Sequence, residues 1–266
     1  MTIKFGIIGG GVMGEALLSR LIERKIYQPT DILVSEPQSS RRNYFTQQYG
    51  VGVTAENQQV AQAASEVLFL AIKPQVFDTV AAQLSGVAIP SLVISILAGV
   101  TLSKLEAAFP MPVIRAMPNT PATIGAGITA VAGGKYVQPH HLDQARQIFK
   151  AVGEVVEVPE AMMDAVTGLS GSGPAYVAIM LEALADGGVA AGLPRAVASE
   201  LALQTVLGTT QLLKESRMHP AELKDRVTSP GGTTIAGISE LERSGFRSAL
   251  IEAVKAAERR AKELGS

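Results

Sequence analysis

Residues 5–14 read Phe-Gly-Ile-Ile-Gly-Gly-Gly-Val-Met-Gly, an apolar run that meets glycines at 9, 11 and 14 and passes into a helical pattern over 14–24. Few local sequences restrict a fold more. Gly9 permits a tight turn out of a strand, Gly11 leaves backbone bare for a close approach, and Gly14 lets the following helix lie against that strand. A helix that starts there presents unpaired N–H groups, and these favour an anion. The turn, with Gly10, Val12 and Met13 inside it, therefore reads as the diphosphate site of a dinucleotide, and it commits the start of the chain to a βαβ unit.

The rest of the first part keeps that rhythm. Apolar runs at 4–8, 31–35, 67–71, 92–95, 113–117, 128–132 and 154–158 alternate with helical patterns at 14–24, 40–49, 57–64, 76–85, 103–108 and 139–152. Such alternation predicts a doubly wound, mostly parallel sheet, the Rossmann type of α/β fold. From about residue 160 the strand signal disappears, and Ala-rich helical patterns follow at 174–191, 194–214, 220–226, 234–243 and 246–264. The expected organisation is a dinucleotide-binding domain over 1–160 and an all-α domain over 161–266. The 174–191 pattern carries only Glu182 and Asp186 as charges, so it needs partners on several sides, and a subunit interface is one way to supply them.

Composition removes several function classes. There are 23 basic and 24 acidic residues, so no global field draws the chain to nucleic acid or an anionic membrane. With no cysteine, disulfides, thiolate catalysis and Cys-based metal sites are out, and three histidines leave little for zinc. His140 and His141, beside Pro139, read as a solvated loop. No metal is expected. The uncharged stretch 79–103 is long enough to cross a bilayer, but Gln83, Gly86 and Pro90 interrupt it, and its one continuous apolar run, 92–97, suits a strand buried on both faces. Glu15 arrives before any adequate signal-peptide core, so a cytoplasmic protein is expected.

Four further segments stand where open α/β sheets bind ligands or where a helix begins. After the second strand come Ser35, Glu36, Ser39, Arg41 and Arg42. Glu36 is placed to accept a hydrogen bond from a free ribose 2′-hydroxyl, which argues for NADH, whereas the serines and arginines suit a 2′-phosphate, which argues for NADPH. A solvated first turn of the second helix is the plain alternative for both arginines. Lys73 follows the third apolar run as a candidate cofactor contact, and Asn119 reads as a turn-closing side chain. In the second part, Thr228-Ser229-Pro-Gly231-Gly232-Thr233-Thr234 leads into a helical pattern. Its glycines can turn several N–H groups toward one point, a receptor for a carboxylate or phosphate, with Ser229 and the two threonines as added donors. An ordinary N-cap on Thr233 or Thr234 is the alternative.

At this point the chain resembles the pyrroline-5-carboxylate reductases along nearly its whole length. The residues that carry the resemblance are Gly9–Gly14, Ala71-Ile-Lys73-Pro74, Ala98-Gly-Val-Thr101, Met117-Pro-Asn-Thr-Pro121, the segment 164–176, Ala185-Asp-Gly-Gly188, Gly192-Leu-Pro194 and the stretch from His219-Pro220 to Thr234. The resemblance implies reduction of L-1-pyrroline-5-carboxylate to L-proline at the expense of NADP(H), the favoured cofactor, or NAD(H). It implies that the C-terminal helices build a dimer, often assembled further. It also implies that Asn57, Ala71, Lys73, Pro74 and Ala98 join Ser35, Glu36 and the Gly-rich turn around the cofactor. Ser229, Gly231, Gly232, Thr233 and Thr234 would hold the substrate, with the Thr234 hydroxyl at its nitrogen. Arg217 departs from relatives that carry an acid there, so that contact is not transferred.

Three rivals can be weighed. The β-hydroxyacid dehydrogenases share this domain order but place a catalytic lysine shortly after a Gly-Ser-Gly turn. Here Gly171-Ser-Gly173 is followed by Pro-Ala-Tyr-Val, and no lysine occurs between Lys150 and Lys214. A reductase of another small cyclic imino acid would keep the same loop. A non-catalytic dinucleotide-binding module would need no second anion receptor.

Overall fold

The computed structural model describes residues 3–89 and 92–265; Pro90 lies outside them. The chain divides into two compact units, one made of residues up to 172 together with those from 256 onward, the other of residues 173–255.

In the first unit the strands are β1 (Phe5–Ile8), β2 (Ile32–Ser35), β3 (Gly52–Thr54), β4 (Val67–Leu70), β5 (Leu92–Ser95), β6 (Val113–Met117), β7 (Gly127–Gly133) and β8 (Gly153–Glu157). Among the described residues they form one sheet in the order β3-β2-β1-β4-β5-β6-β7-β8. β1 to β6 run parallel, and β7 turns back antiparallel to β6 and is followed in parallel by β8. Helices cover both faces. Leu17, Leu18 and Leu21 of α1 (Val12–Glu23), Phe45 of α2 (Ser39–Tyr49) and Ile148 and Phe149 of α6 (Pro139–Lys150) pack with Phe5, Ile7, Val34, Phe69 and Ile94 on one side. Val60 of α3 (Asn57–Ala63), Phe77 and Val80 of α4 (Phe77–Gln83) and Leu102 and Leu105 of α5 (Leu102–Ala108) pack with Ile8, Leu68, Leu70 and Val93 on the other. Covering both faces is why these strands are apolar throughout rather than alternating.

β1 lies between β2 and β4, so successive connections leave it in opposite directions. The crevice at that switch, beyond the carboxyl ends of the strands, is where such sheets take a ligand. The Gly-rich turn follows β1, Ser35 ends β2, Ala71 follows β4, and Ala98 stands just past β5. All four of these positions therefore stand at one edge.

The sequence reading missed β3, a three-residue strand that begins at Gly52, is half open to solvent and is too short to show a period. It forms because β2 offers it a free edge, with Leu33 opposite Gly52. The loop expected at His140 and His141 is instead the first turn of α6. Pro139 sits at its first position, and His141 Nδ1 accepts the Gln138 N–H at 3.0 Å, capping the helix.

Arg115 is the one charged residue of β6 and is almost fully buried; it pairs with Glu160 at 3.2 Å and Asp164 at 3.4 Å. Glu160 Oε1 also accepts the Leu102 N–H at 2.5 Å, so one buried cation ties the sheet, the start of α5 and the chain after β8 together. That chain continues through α7 (Met163–Val166) and a π-helical turn at Thr167–Gly171.

The second unit contains α8 (Gly173–Ala190), α9 (Arg195–Ser216), α10 (Pro220–Arg226), α11 (Thr233–Arg243) and the first part of α12 (Phe246–Gly265). α8 and α9 pack through small residues: Ala185, Ala198 and Ala202 are buried, and a β-carbon on Gly188 would stand 3.0 Å from that of Ala198. Their larger side chains, among them Ile179, Leu184, Leu201, Leu203 and Leu207, are exposed. Exposed apolar side chains on two adjoining helices are of the kind an association surface carries. Among the described residues no helix is long and apolar enough to cross a membrane.

Candidate active site

The first site is the glycine turn. Gly9 has φ +107°, and a β-carbon on it would stand 2.6 Å from the Ala71 carbonyl oxygen, so β1 and the chain after β4 touch backbone to backbone. A β-carbon on Gly14 would meet the Gly9 oxygen at 2.5 Å, which lets α1 start hard against the turn. Gly11 differs: nothing lies within 4 Å of where its β-carbon would be. It is the N-cap of α1, with extended backbone and no side chain to cap the helix. The first intrahelical bond runs from the Glu15 N–H to the Gly11 oxygen at 2.9 Å, which leaves the N–H groups of Val12, Met13 and Gly14 without intrahelical partners. Bare N–H groups, the positive helix end and an open face together fit a diphosphate.

Beside the turn lies a cleft of about 480 Å³ whose walls include Gly9, Ser35, Pro37, Asn57, Ile72 and Gln83. Ser35 Oγ donates to Asn57 Oδ1 at 2.5 Å, and Asn57 Nδ2 donates to Gln83 Oε1 at 2.7 Å. Sequence reasoning did not single out Gln83, because an exposed glutamine at the end of α4 carries no local signal. Pro74 opens a short 3₁₀ turn at Pro74–Val76 and Lys73 is its exposed N-cap residue. Ala71 and Ala98 are half-buried at the same sheet edge.

Glu36 is nearly buried and spends both oxygens locally: Oε2 accepts the Gly10 N–H at 3.1 Å and Oε1 accepts the Gln38 N–H at 3.0 Å. Arg41 donates through Nη2 to the Gly10 carbonyl and to Glu15 Oε2, both at 2.7 Å, and its guanidinium lies against the rings of Tyr44 and Phe45. Arg42 donates to the carbonyls of Glu36 and Pro37 at 2.8 and 2.7 Å. The two arginines are thus tied to backbone rather than solvated. Glu15 also accepts hydrogen bonds from Tyr44 and Tyr49, each at 2.9 Å. Burial pushes the Glu15 carboxyl up, but the hydrogen bonds from Arg41, Tyr49 and Tyr44 outweigh it and hold the group below its ordinary value. Asn119 does not close a local turn: its Oδ1 accepts the N–H of Ile128, nine residues on, at 3.0 Å and so ties the end of β6 to β7.

The second site is the loop before α11. Gly231 has φ +66°, a left-handed turn that a side chain would strain, and Gly232 caps the helix with extended backbone and no side-chain hydrogen bond. Neither threonine is therefore the N-cap. Thr233 and Thr234 occupy the first two helical positions, their N–H groups have no intrahelical acceptor, and the hydroxyls of Ser229, Thr233 and Thr234 have no partner among the described residues. An apolar cleft of about 440 Å³ elsewhere in this unit, between α10, α11 and α12, includes none of the residues 229–234. Among the described residues no three His, Asp or Glu side chains gather where they could hold a metal ion.

Comparison with known proteins accords with both halves. Residues 160–264 match the profile described as pyrroline-5-carboxylate reductase dimerisation, and residues 4–99 match that of the coenzyme F420-dependent NADP oxidoreductases. A pyrroline-5-carboxylate reductase of Synechocystis is 64% identical over all of this chain and 99% of its own length. Among solved structures, a pyrroline-5-carboxylate reductase of Coxiella burnetii superposes with a TM-score of 0.90 at 36% identity, covering 100% of both chains. The pyrroline carboxylate reductase of Plasmodium falciparum, solved with NADP bound, superposes with a TM-score of 0.89 at 31% identity, covering 99% of this chain and 98% of that one. With identity of that order along the full length, and a glycine turn and a glycine-capped helix each built as the sequence requires, this chain belongs to the pyrroline-5-carboxylate reductase family.

Proposed function

We propose that the protein reduces L-1-pyrroline-5-carboxylate to L-proline with NADPH or NADH, the last step of proline biosynthesis. The observation that carries the reading is the start of α11 in a chain of this family. There Gly232 caps the helix without a side chain, and the hydroxyls of Ser229, Thr233 and Thr234 stand unspent around N–H groups that have no intrahelical acceptor. Such a cradle binds a carboxylate, and this substrate carries one.

When bound, the dinucleotide supplies the hydride, and a ring imine protonated on nitrogen is electrophilic enough to take it at C5 without a metal. The chain's share of the work is positional. Ser229, Gly231, Gly232 and Thr233 hold the carboxylate, and the Thr234 hydroxyl meets the ring nitrogen, fixing the face that is presented. Gly9, Gly10, Gly11, Val12, Met13 and Gly14 take the diphosphate, with Glu36 behind that turn at the Gly10 N–H, while Ser35, Asn57, Ala71, Lys73, Pro74 and Ala98 surround the rest of the cofactor. NADP(H) is favoured over NAD(H), a preference supported by the NADP-bound relative and by the NADP oxidoreductase profile.

On this reading residues 1–160 serve the cofactor and 161–266 serve substrate binding and dimerisation, a boundary supported by the start of the dimerisation profile at residue 160. The exposed leucines and isoleucine of α8 and α9 are the self-association surface, as a dimer or a larger assembly of dimers. A net charge of −1 speaks against nucleic acid or membrane as a partner, and the cytoplasm is the proposed location. The test is loss of NAD(P)H absorbance on adding pyrroline-5-carboxylate, with proline identified as product. Nucleotide binding without substrate-dependent oxidation would refute the reading.

A further inference from the structure

We propose that Glu36 and Arg41, which the sequence sets against each other as marks of NADH and of NADPH, are positioning residues that act together on Gly10 and leave the nucleotide's 2′ position to other groups. The proposal rests on the cofactor reading of this site.

Gly10 is held from both sides. Its N–H donates to Glu36 Oε2 at 3.1 Å, and its carbonyl accepts from Arg41 Nη2 at 2.7 Å. There are no cis peptides among the described residues, and in a trans peptide the N–H points opposite to the carbonyl of the same unit. Drawing the Gly10 carbonyl toward Arg41 therefore turns the Gly11 N–H away from Arg41. Gly11 is the residue whose outer side is open, and its N–H has no partner among the described residues.

The clamp is itself braced. Glu15 Oε2 holds the same Arg41 nitrogen at 2.7 Å, Tyr44 and Tyr49 hold Glu15, and Phe45, fully buried, supports the guanidinium from below. A β-carbon on Gly10 would come within 2.7 Å of Phe45 and 3.0 Å of Glu36 Oε2, so the clamp closes on a glycine alone. Glu36 is fixed a second time by the Gln38 N–H at 3.0 Å. Charged groups with this many fixed partners are costly to redirect toward a ligand, and their placement preorganises the turn.

The two cofactors share a diphosphate and differ at the 2′ position, so the two roles separate cleanly. Dissociation constants for NADPH and NADH are measured on the full chain without substrate, for wild type, Arg41→Ala, Glu36→Ala and Glu36→Gln. Arg41→Ala and Glu36→Ala are expected to weaken both nucleotides by about tenfold, with the NADPH to NADH ratio kept within about twofold of wild type. Glu36→Gln, whose amide oxygen can still accept the Gly10 N–H, should recover part of the loss for both. Arg41→Met keeps the apolar stem over Phe45 and serves if the alanine variant does not fold. Three results overturn the clamp: a loss confined to NADPH in Arg41→Ala, a gain confined to NADPH in Glu36→Gln, or no change in either. Wild-type protein that binds neither nucleotide refutes the cofactor reading along with the clamp, whereas a nucleotide-selective effect on a binding-competent wild type refutes the clamp alone.

Discussion

Gly11 and Gly14 stand three residues apart in one turn, yet alanine at each should fail in a different way. At Gly14 the new methyl would lie 2.5 Å from the Gly9 carbonyl oxygen and 3.4 Å from the Ala71 β-carbon, and the nearer neighbour is backbone that cannot swing aside. Relief requires the start of α1 to move off β1 by a large part of an ångström. Overpacking of this kind costs about 1–3 kcal/mol, of which the better helix propensity of alanine returns up to about 1. Because the nearest atom is backbone at 2.5 Å, the cost belongs in the upper part of that range; the net loss is about 1–2 kcal/mol, which for a unit of this size is a fall in melting temperature of roughly 2–8 °C. Misplacing the N–H groups by that distance should also weaken both nucleotides by more than about tenfold. At Gly11 nothing lies within 4 Å of the added carbon, and the backbone, at φ −75°, suits any residue. Its stability cost is the poorer N-cap, about 0.5 kcal/mol or 1–2 °C, while the methyl occupies the face left for the diphosphate. Gly11→Ala should thus melt close to wild type and bind nucleotide at least about tenfold more weakly. Thermal melting and nucleotide titration on the two variants check the reasoning. Wild-type affinity in Gly11→Ala would refute the placement of the diphosphate, and an unchanged melt in Gly14→Ala would refute the close packing of α1 on the turn.

Thr234→Ala should lower turnover by more than about tenfold, or ~1.4 kcal/mol, with nucleotide affinity nearly intact; unchanged turnover removes Thr234 from the reaction. Ser229→Ala should raise KM for the imino acid, and a rise in the nucleotide dissociation constant instead would reassign the loop. Arg115→Met leaves Glu160 and Asp164 without their shared cation, and because both carboxylates are partly exposed the loss should fall below the roughly 3–5 kcal/mol of a fully buried broken pair, at about 2–3 kcal/mol by urea unfolding. A midpoint equal to wild type would mean that the pair does not hold α5 to the sheet. The Glu15 carboxyl is held below its ordinary 4.5, so the folded state releases that proton more readily than the unfolded chain. Its stabilising contribution is full above about pH 4.5 and is lost as pH falls through the lowered value, so Glu15→Gln should flatten the acid limb of stability against pH; an unchanged limb refutes the assignment.

Much of the first unit was legible in the sequence because its signals are local. A glycine spacing that only a close turn requires, apolar runs of four or five residues and the helical patterns between them fix the element order and even the crevice, since chain order places the ends of β1, β2, β4 and β5 on one edge. The loop before α11 was legible for the same reason, as two adjacent glycines among hydroxyls. What the sequence could not decide depends on partners distant along the chain. β3 exists because β2 offers it an edge, and Arg115 survives inside a strand because Glu160 and Asp164 reach it from 45 and 49 residues away. An arginine in an otherwise apolar strand was a signal available for the asking, since such a charge is buried only when paired.

The region after β2 shows the division most clearly. From the sequence alone, Glu36, Arg41 and Arg42 were residues of the right kind in the right place, with two opposite meanings for the cofactor. Tertiary structure gave each a partner: Gly10 and Gln38 for Glu36, Gly10 and Glu15 for Arg41, and the carbonyls of Glu36 and Pro37 for Arg42. The sequence by itself determined that a glycine turn opening a helix, a doubly wound sheet and a second glycine-rich loop before a helix are present, because glycine requirements and periodicity are properties of neighbouring residues. Only the folded chain decided where each charged side chain is spent, because a hydrogen bond is settled by distance in space and not by spacing in sequence.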